Sequence, residues 1–169
     1  MANSGPISPD DLIVLDVGAE AEHYAADISR TVSQQPISGR NAEVFKAVEA
    51  VQDYALGSSN PACSTATTKP LLRHTWASSC CGSGVIREAT REQIRRYYPH
   101  ATSHFLGLDT HDVGDYRQPL TAGMVITCEP GIYLPEEGIG VRIEDDVLIT
   151  EKGYTVLSRA CPRALTLVQ

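Results

Sequence analysis

The sequence predicts a fold of the α+β class, because it contains both strand-type and helix-type patterns. Strand-type runs rich in β-branched residues and bounded by turn residues occupy 12–28 and 124–149. Helical periodicity occupies 38–56 and 84–98. With 169 residues, 42% of them hydrophobic and 21% charged, the chain is long enough to bury a core and needs no second domain. We therefore predict that 1–169 forms a single domain.

Charge and composition argue against several classes of function. The net charge is −7 and no cluster of Lys and Arg is present, which argues against a nucleic-acid partner. The opening MANSGPISPDD lacks the basic and apolar regions of a signal peptide, and no apolar run has the length of a membrane span. These features predict a cytoplasmic protein without a membrane partner. The five cysteines show no CxxC spacing and are predicted to be free thiols.

The first strand-type stretch reads as a hairpin. Leu12–Val17 is an apolar strand, 18–20 supplies the turn, and His23–Ile28 is the returning strand. Asp16 and Asp27 fall near the ends of these strands, so a short hairpin would bring their side chains together. Aspartate is disfavoured within strands, and two cases in one hairpin indicate a site. The alternative is a pair of solvated aspartates beside a turn.

Two helices are predicted in the middle of the chain. The first spans Ser38–Leu56, with Ser38 or Asn41 as its N-cap, and its apolar positions follow a helical period: Val44, Ala47, Val48, Val51 and Ala55. The second spans Gly84–Tyr98 and ends before Pro99. Between them, Ser58–Ser83 is rich in Ser, Thr and Cys and has no clear period. A flexible surface insertion is one explanation of this segment.

The second strand-type stretch places two glutamates where a half-buried strand normally has apolar residues. Its strands are predicted at Met124–Cys128 and Gly140–Ile149, with a turn-rich connection between them. Glu129 follows the first strand and Glu144 lies inside the second. Burying an unpaired carboxylate is costly, so a cation is implied. Solvent-facing acids on edge strands are the alternative.

The remaining candidate residues are histidines. His100, His104 and His111 fall within a short span after Pro99, which favours a site over isolated histidines. A site with mostly oxygen ligands suits hard divalent ions such as Mn²⁺ and Mg²⁺. Four acids exceed the need of one ion and indicate two ions that share carboxylates. The acids are Asp16, Asp27, Glu129 and Glu144.

Four motifs resemble the Xaa-Pro aminopeptidase (aminopeptidase P) and prolidase family of metallopeptidases: LDVGAEAEHYAADISRT, HATSHFLGLDTHDVG, GMVITCEPGIY and GIGVRIEDDVLIT. The resemblance implies the pita-bread fold, a curved and mostly antiparallel sheet flanked by helices. It also implies two divalent ions, usually manganese, with Asp27 and Glu144 bridging. The five implied ligands are Asp16, Asp27, His104, Glu129 and Glu144.

The same resemblance implies a reaction. A hydroxide that bridges the two metal ions attacks the peptide bond between an N-terminal residue and a following proline. Glu129 is implied as the group that orients and deprotonates the water, His100 and His111 as substrate contacts, and Arg142 as a support of the carboxylates. His100 as a plain loop residue and Arg142 in an ordinary cross-strand ion pair are the alternatives.

Short spans between Gly114 and Gly123 and between Tyr133 and Gly140 favour the aminopeptidase branch. Its substrates are peptides with proline at the second position. Two rival functions remain open at this point. One is a catalytically silent fragment or peptide-binding module with the same fold, and the other is a prolidase that cleaves Xaa-Pro dipeptides.

The chain departs from the family in two places. Family members carry further elements ahead of the first hairpin, so the catalytic domain is expected to be N-terminally truncated and its fold incomplete there. Relatives form dimers or tetramers, which makes a homo-oligomer an expectation. Where relatives have a helix, 58–83 is aberrant, and our hypothesis is that it is a frame-shifted reading, with no apolar helix to pack on the sheet.

Overall fold

The computed structural model of this chain describes residues 4–59, 61, 75–78, 80, 81, 84 and 90–163. Its helices are α1 (Gly39–Gly57) and α2 (Arg91–Tyr97), and 75–78, 80 and 81 are also helical. Every strand pair among the described residues is antiparallel. The α+β class predicted from the sequence is confirmed. The strands are β1 (Ile13–Val17), β2 (Glu20–Ala21), β3 (Tyr24–Ala25), β4 (Ile28–Val32), β5 (Val125–Cys128), β6 (Gly131–Leu134), β7 (Ile139–Arg142), β8 (Asp145–Thr150) and β9 (Gly153–Val156).

The N-terminal hairpin forms as predicted, but its returning strand lies further along the chain. β1 pairs with β4, while β2 and β3 form a small ladder at the tip. Glu22 and His23 have φ angles of 50° and 67°, the positive values that a two-residue hairpin turn requires. His23 is therefore a turn residue, and the predicted strand His23–Ile28 is wrong. Asp27 lies just before β4, outside the ladder.

The C-terminal stretch is one long hairpin in which β5 and β6 run against β8 and β7. The prediction of a single strand at Gly140–Ile149 is wrong, because β7 ends at Arg142 and β8 begins at Asp145. The predicted connection likewise contains a strand, β6. Proline has no N–H to donate to a ladder, and Pro130 lies between β5 and β6. The ladder is therefore interrupted there, and Glu129 and Glu144 lie at the interruption.

The first predicted helix is confirmed as α1. Ser38 is its N-cap residue in extended conformation, although its side chain makes no capping hydrogen bond. The apolar positions predicted to face the core are all buried. The first half of α1 packs on β6 and β7, and its last turn packs on β5 and β8. Helix α1 thus covers the long hairpin on both sides of its interruption.

The second predicted helix is shorter than expected. It begins at Arg91 because the Thr90 hydroxyl accepts a hydrogen bond from the Gln93 amide at 3.2 Å and caps the helix. The predicted start at Gly84 is wrong, since Gly84 has a φ of 66° and lies in a turn. The end agrees with the prediction to within one residue.

Much of the aberrant segment 58–83 lies outside the described residues, and the frame-shift hypothesis concerns this part of the chain. The described part of the segment corrects the expectation that it has no apolar helical residues to pack on the sheet. Trp76 is fully buried, its indole N–H donates to the Gly131 carbonyl at 3.0 Å, and its ring stacks on Tyr98 with centroids 5.6 Å apart. Ala77 and Cys80 are buried in the same core. The segment therefore does supply helical residues that pack against the long hairpin.

Two composition-based predictions are also addressed by the structure. Cys81, Cys128 and Cys161 are free thiols as predicted, Cys80 is buried, and Cys63 lies outside the described residues. Within the described part of the chain, no helix combines the length and the apolar composition needed to cross a membrane.

Candidate metal centre

All eight predicted site residues line one cleft of about 450 Å³. The N-terminal hairpin contributes two of them, the loop after α2 contributes the histidines, and the long hairpin contributes the rest. The sequence therefore identified side chains that the fold brings together from three separate regions. They are Asp16, Asp27, His100, His104, His111, Glu129, Arg142 and Glu144.

Asp27, His104 and Glu144 form the tightest group in the cleft. Each offers one ligand atom, and these atoms lie within 4.8 Å of one another. Glu129 joins this group from the side, with its Oε1 3.5 Å from His104 Nε2. Asp16 lies at the rim of the cleft and is exposed. Two buried ligands and the half-buried Asp27, with oxygen and imidazole donors at this spacing, suit a divalent cation.

The imidazole of His104 is held in a defined orientation. Its Nδ1 lies 3.0 Å from the Phe105 carbonyl oxygen, an acceptor, so Nδ1 carries the ring proton. Nε2 then presents a lone pair to Asp27 Oδ2 and Glu129 Oε1, each 3.5 Å away. In the neutral ring, this lone pair and the two carboxylates are directed at one point, and a positive charge there, either a metal ion or a proton on Nε2, removes their repulsion. The residues present therefore fit a metal ion.

Glu144 is the most deeply buried carboxylate of the cleft, with 2% of the residue exposed. The Ser29 hydroxyl donates to Glu144 Oε2 at 2.5 Å, and this bond favours the charged form. Burial outweighs it, and the charges of Glu129 and Asp27 add to burial, so the pKa of Glu144 is raised to about 8. A bound cation would offset the free-energy cost of burying the charged carboxylate of Glu144.

Asp27, which lies directly before β4, is also held in place by hydrogen bonds of its main-chain amide. Its amide N donates to both carboxylate oxygens of Asp146, at 3.3 and 3.2 Å. Burial, followed by the charge of Asp16, raises the pKa of Asp27, while His104 and Arg142 oppose the rise. The acid is thus fixed in place next to other acids.

His100 lies between the long hairpin and the open side of the cleft. Its Nδ1 lies 2.8 Å from the Ala101 carbonyl and 3.3 Å from Glu129 Oε2, both acceptors, so Nδ1 carries the proton. Its Nε2 lies 2.8 Å from the Tyr133 hydroxyl. These contacts connect His100 with Glu129 and Tyr133, and a role of His100 in binding substrate stays a prediction.

Arg142 connects three parts of the site. Its guanidinium donates to Asp16 Oδ2, to Ser29 Oγ at 2.8 Å and to the Tyr133 hydroxyl at 3.4 Å. Its Nε also lies 3.8 Å from Glu144 Oε2. Arg142 is therefore more than a member of one cross-strand ion pair, because it holds the N-terminal hairpin against the long hairpin.

His111 is exposed and lies against His104, with ring centroids 4.1 Å apart in an edge-to-face arrangement. Its position at the open side of the cleft leaves it accessible to a bound molecule.

Sequence reasoning missed three residues of this site. Tyr133 contacts both His100 and Arg142, and Ser29 contacts both Glu144 and Arg142. A Cβ at Gly18 would lie 2.4 Å from the Ala26 carbonyl oxygen, so only glycine permits this close approach within the hairpin. Ser29 had a signal, since in a strand it falls on the same face as Asp27, two residues earlier.

Comparison with known families places these residues in context. The family model described as metallopeptidase family M24 matches residues 1–151. Xaa-Pro aminopeptidase 3 of Rattus norvegicus is 36% identical over an alignment of 179 positions, which covers 95% of this chain and 35% of the relative. The Xaa-Pro aminopeptidase of Haemophilus influenzae is 34% identical over 184 residues, covering 96% of this chain and 42% of the relative.

Solved structures give the same result at the level of the fold. Pseudomonas aeruginosa aminopeptidase PepP superposes with a TM-score of 0.88 at 31% identity, covering 96% of this chain and 41% of that one. A zinc-substituted Escherichia coli aminopeptidase P in complex with product gives 0.85 at 31% identity, with the same two coverages. The predicted pita-bread fold is confirmed. The chain spans little more than a third of the length of several relatives it matches.

Proposed function

The chain belongs to metallopeptidase family M24, and we propose that it carries the two-metal site of an Xaa-Pro aminopeptidase. Its reaction would be hydrolysis of the bond between an N-terminal residue and a following proline. The observation that carries the proposal is the convergence of four carboxylates and the His104 Nε2 lone pair on one cleft. The named relatives, which are Xaa-Pro aminopeptidases, support the choice of substrate.

In this proposal two divalent ions are held by Asp16, Asp27, His104, Glu129 and Glu144. Asp27 and Glu144, which form the tight group with His104, would each offer a carboxylate oxygen to the ions. A ligand set dominated by carboxylates suits both Mn²⁺ and Mg²⁺, and the resemblance to the Xaa-Pro aminopeptidase family makes manganese the proposed metal. When bound, the ions supply Lewis acidity and lower the pKa of water.

The chain's own residues prepare the site for hydrolysis. Glu129 serves as the base that orients the attacking water, and its carboxylate is held by His100 Nδ1 at 3.3 Å and the Thr127 hydroxyl at 3.4 Å. His111, at the open side, contacts the substrate. Arg142 keeps Asp16 and Glu144 in fixed positions through its contacts with Asp16 and Ser29.

The proposed substrates are peptides with proline at the second position. Proline forms a tertiary amide without an N–H, so recognition depends on the shape of a pocket rather than on that hydrogen bond. A single domain, a homo-oligomer and a cytoplasmic location stay predictions of the sequence.

A metal titration followed by a peptidase assay tests the proposal. We expect two Mn²⁺ ions per chain by mass spectrometry of the native protein, and Mn²⁺-dependent release of the first residue from an Xaa-Pro-Yaa peptide. Asp27→Ala should abolish both, whereas Asp10→Ala, at an exposed position ahead of β1, should change neither. A folded chain that binds no divalent metal would refute the proposal.

Two outcomes would redirect the proposal within the family. Full metal occupancy without turnover would favour the silent or peptide-binding alternative. Cleavage of Xaa-Pro dipeptides in preference to Xaa-Pro-Yaa tripeptides would favour a prolidase.

A further inference from the structure

The interruption of the long hairpin leaves one main-chain acceptor without its ladder partner. Ile143 N donates to the Pro130 carbonyl at 3.3 Å, which marks these residues as a hydrogen-bonded pair across the ladder. The reciprocal bond, from the nitrogen of residue 130 to the Ile143 carbonyl, cannot form because Pro130 has no N–H. A buried carbonyl without a donor destabilises the fold, so another group is needed at this point.

Gln52 of α1 supplies that group. It is fully buried, and its Nε2 lies 3.4 Å from the Ile143 carbonyl, 3.4 Å from the Cys128 carbonyl and 2.9 Å from Asp145 Oδ2. Arg163 Nη1 donates to Gln52 Oε1 at 2.7 Å, which directs the amide NH₂ toward the hairpin.

The three acceptors of Gln52 are immediate neighbours of both glutamates of the cleft. Cys128 precedes Glu129, while Ile143 and Asp145 flank Glu144. One side chain thus contacts the main chain directly before Glu129 and directly before Glu144, and the side-chain carboxylate of Asp145 directly after Glu144. Asp145 is itself held by Arg30 Nη2 at 2.7 Å and by the Ser158 hydroxyl at 2.6 Å, so the contact point is rigid.

We propose that Gln52 is a positioning residue for the metal centre, acting from the helix behind the hairpin by replacing the hydrogen bond that Pro130 cannot make. Groups that orient metal ligands without touching the metal contribute on the order of 10–100-fold to metal affinity. This inference rests on the proposed two-metal site and adds to it a residue that does not line the cleft.

The test measures Mn²⁺ affinity by isothermal titration calorimetry and unfolding temperature of the metal-free chain. Gln52→Met keeps the size of the side chain and removes its donors, and it should weaken Mn²⁺ binding on the order of tenfold. The matched control is Val48→Ala, which removes a fully buried side chain from the same helix. It should lower the unfolding temperature and leave the affinity unchanged.

A double-mutant cycle examines the hydrogen-bond argument directly. Pro130→Ala restores an N–H at position 130, so Gln52→Met should reduce Mn²⁺ affinity less in this background than in the native one. If Gln52→Met does not fold, Gln52→Leu repeats the comparison, because it also removes the NH₂ donor and adds no charge beside Asp145.

The outcomes separate this inference from the proposed function. A native chain that binds no Mn²⁺ overturns the metal site itself. If the native chain binds Mn²⁺, two results overturn only the role of Gln52. One is a Gln52→Met variant with native Mn²⁺ affinity, and the other is a Val48→Ala variant that loses as much affinity as Gln52→Met. An unchanged effect of Gln52→Met in the Pro130→Ala background overturns the replacement of the missing ladder bond.

Discussion

Glu129 and Glu144 lie opposite each other across the long hairpin. Cys128 pairs with Asp145 on one side of them and Gly131 pairs with Arg142 on the other, so one register runs through the interruption. Residues directly opposite in an antiparallel pair have Cβ atoms about 4.5–5.5 Å apart. Two acids in this arrangement repel each other, and the hairpin therefore holds them in a geometry that a cation stabilises.

Replacing Glu144 with glutamine should stabilise the metal-free chain and abolish metal binding. The amide oxygen can keep the hydrogen bond from Ser29, whereas the native glutamate, whose pKa is raised to about 8, must on folding either bury its charge or take up a proton. We expect the free energy of unfolding without metal to rise by about 1 kcal/mol or more. Chemical denaturation with and without Mn²⁺ measures both effects. The exposed Glu151→Gln should change neither, and a less stable metal-free Glu144→Gln would contradict the prediction.

Replacing Arg142 with lysine should weaken the site even though the positive charge is kept. An ammonium group cannot reach Asp16, Ser29 and Tyr133 together as the planar guanidinium does. We expect a reduction in Mn²⁺ affinity and in kcat/KM on the order of 10–100-fold. Arg117→Lys is the control, because Arg117 is exposed and pairs only locally with Asp115. Native affinity in Arg142→Lys would show that charge alone matters there.

Trp76 tests whether the helical residues between α1 and α2 belong to the core. Trp76→Phe removes the indole donor to the Gly131 carbonyl and part of the stack on Tyr98. The free energy of unfolding should fall by about 2 kcal/mol, which lowers the Tm by roughly 4–8 °C. Tyr154→Phe, at a more exposed aromatic position, should stay within about 0.5 kcal/mol. Equal thermal stability of both variants would argue against the packing of Trp76.

Gly18 tests the close approach inside the N-terminal hairpin. A Cβ there would lie 2.4 Å from the Ala26 carbonyl oxygen, so Gly18→Ala forces the main chain next to Asp27 to move. We expect a loss of about 1–3 kcal/mol in the free energy of unfolding together with weaker Mn²⁺ binding. Gly57→Ala, where the added Cβ meets no atom within 4 Å, should be neutral or stabilising by up to about 1 kcal/mol. Unchanged metal affinity in Gly18→Ala would show that Mn²⁺ binding does not depend on the close approach of Gly18 and Ala26.

The sequence was most informative where a residue type contradicted its local pattern. Asp16, Asp27, Glu129 and Glu144 each stood in or beside a strand, and all four line the cleft. The helical period of α1 also predicted its buried face correctly. The strand bounds were less accurate, because the break of Gly140–Ile149 into two strands depends on Pro130, which lies on the opposite strand.

By itself the sequence determined which carboxylates and imidazoles the chain can offer to a cation, since residue types and motif spacing fix the available side chains and the approximate positions of the strands and of α1. Only the tertiary structure decided how those ligands meet. The pairing of β1 with β4, the register that sets Glu129 against Glu144 and the contacts of Gln52 and Trp76 all join residues far apart in the chain. Such contacts form because buried polar groups must find partners in three dimensions, and no local pattern records which partner each one finds.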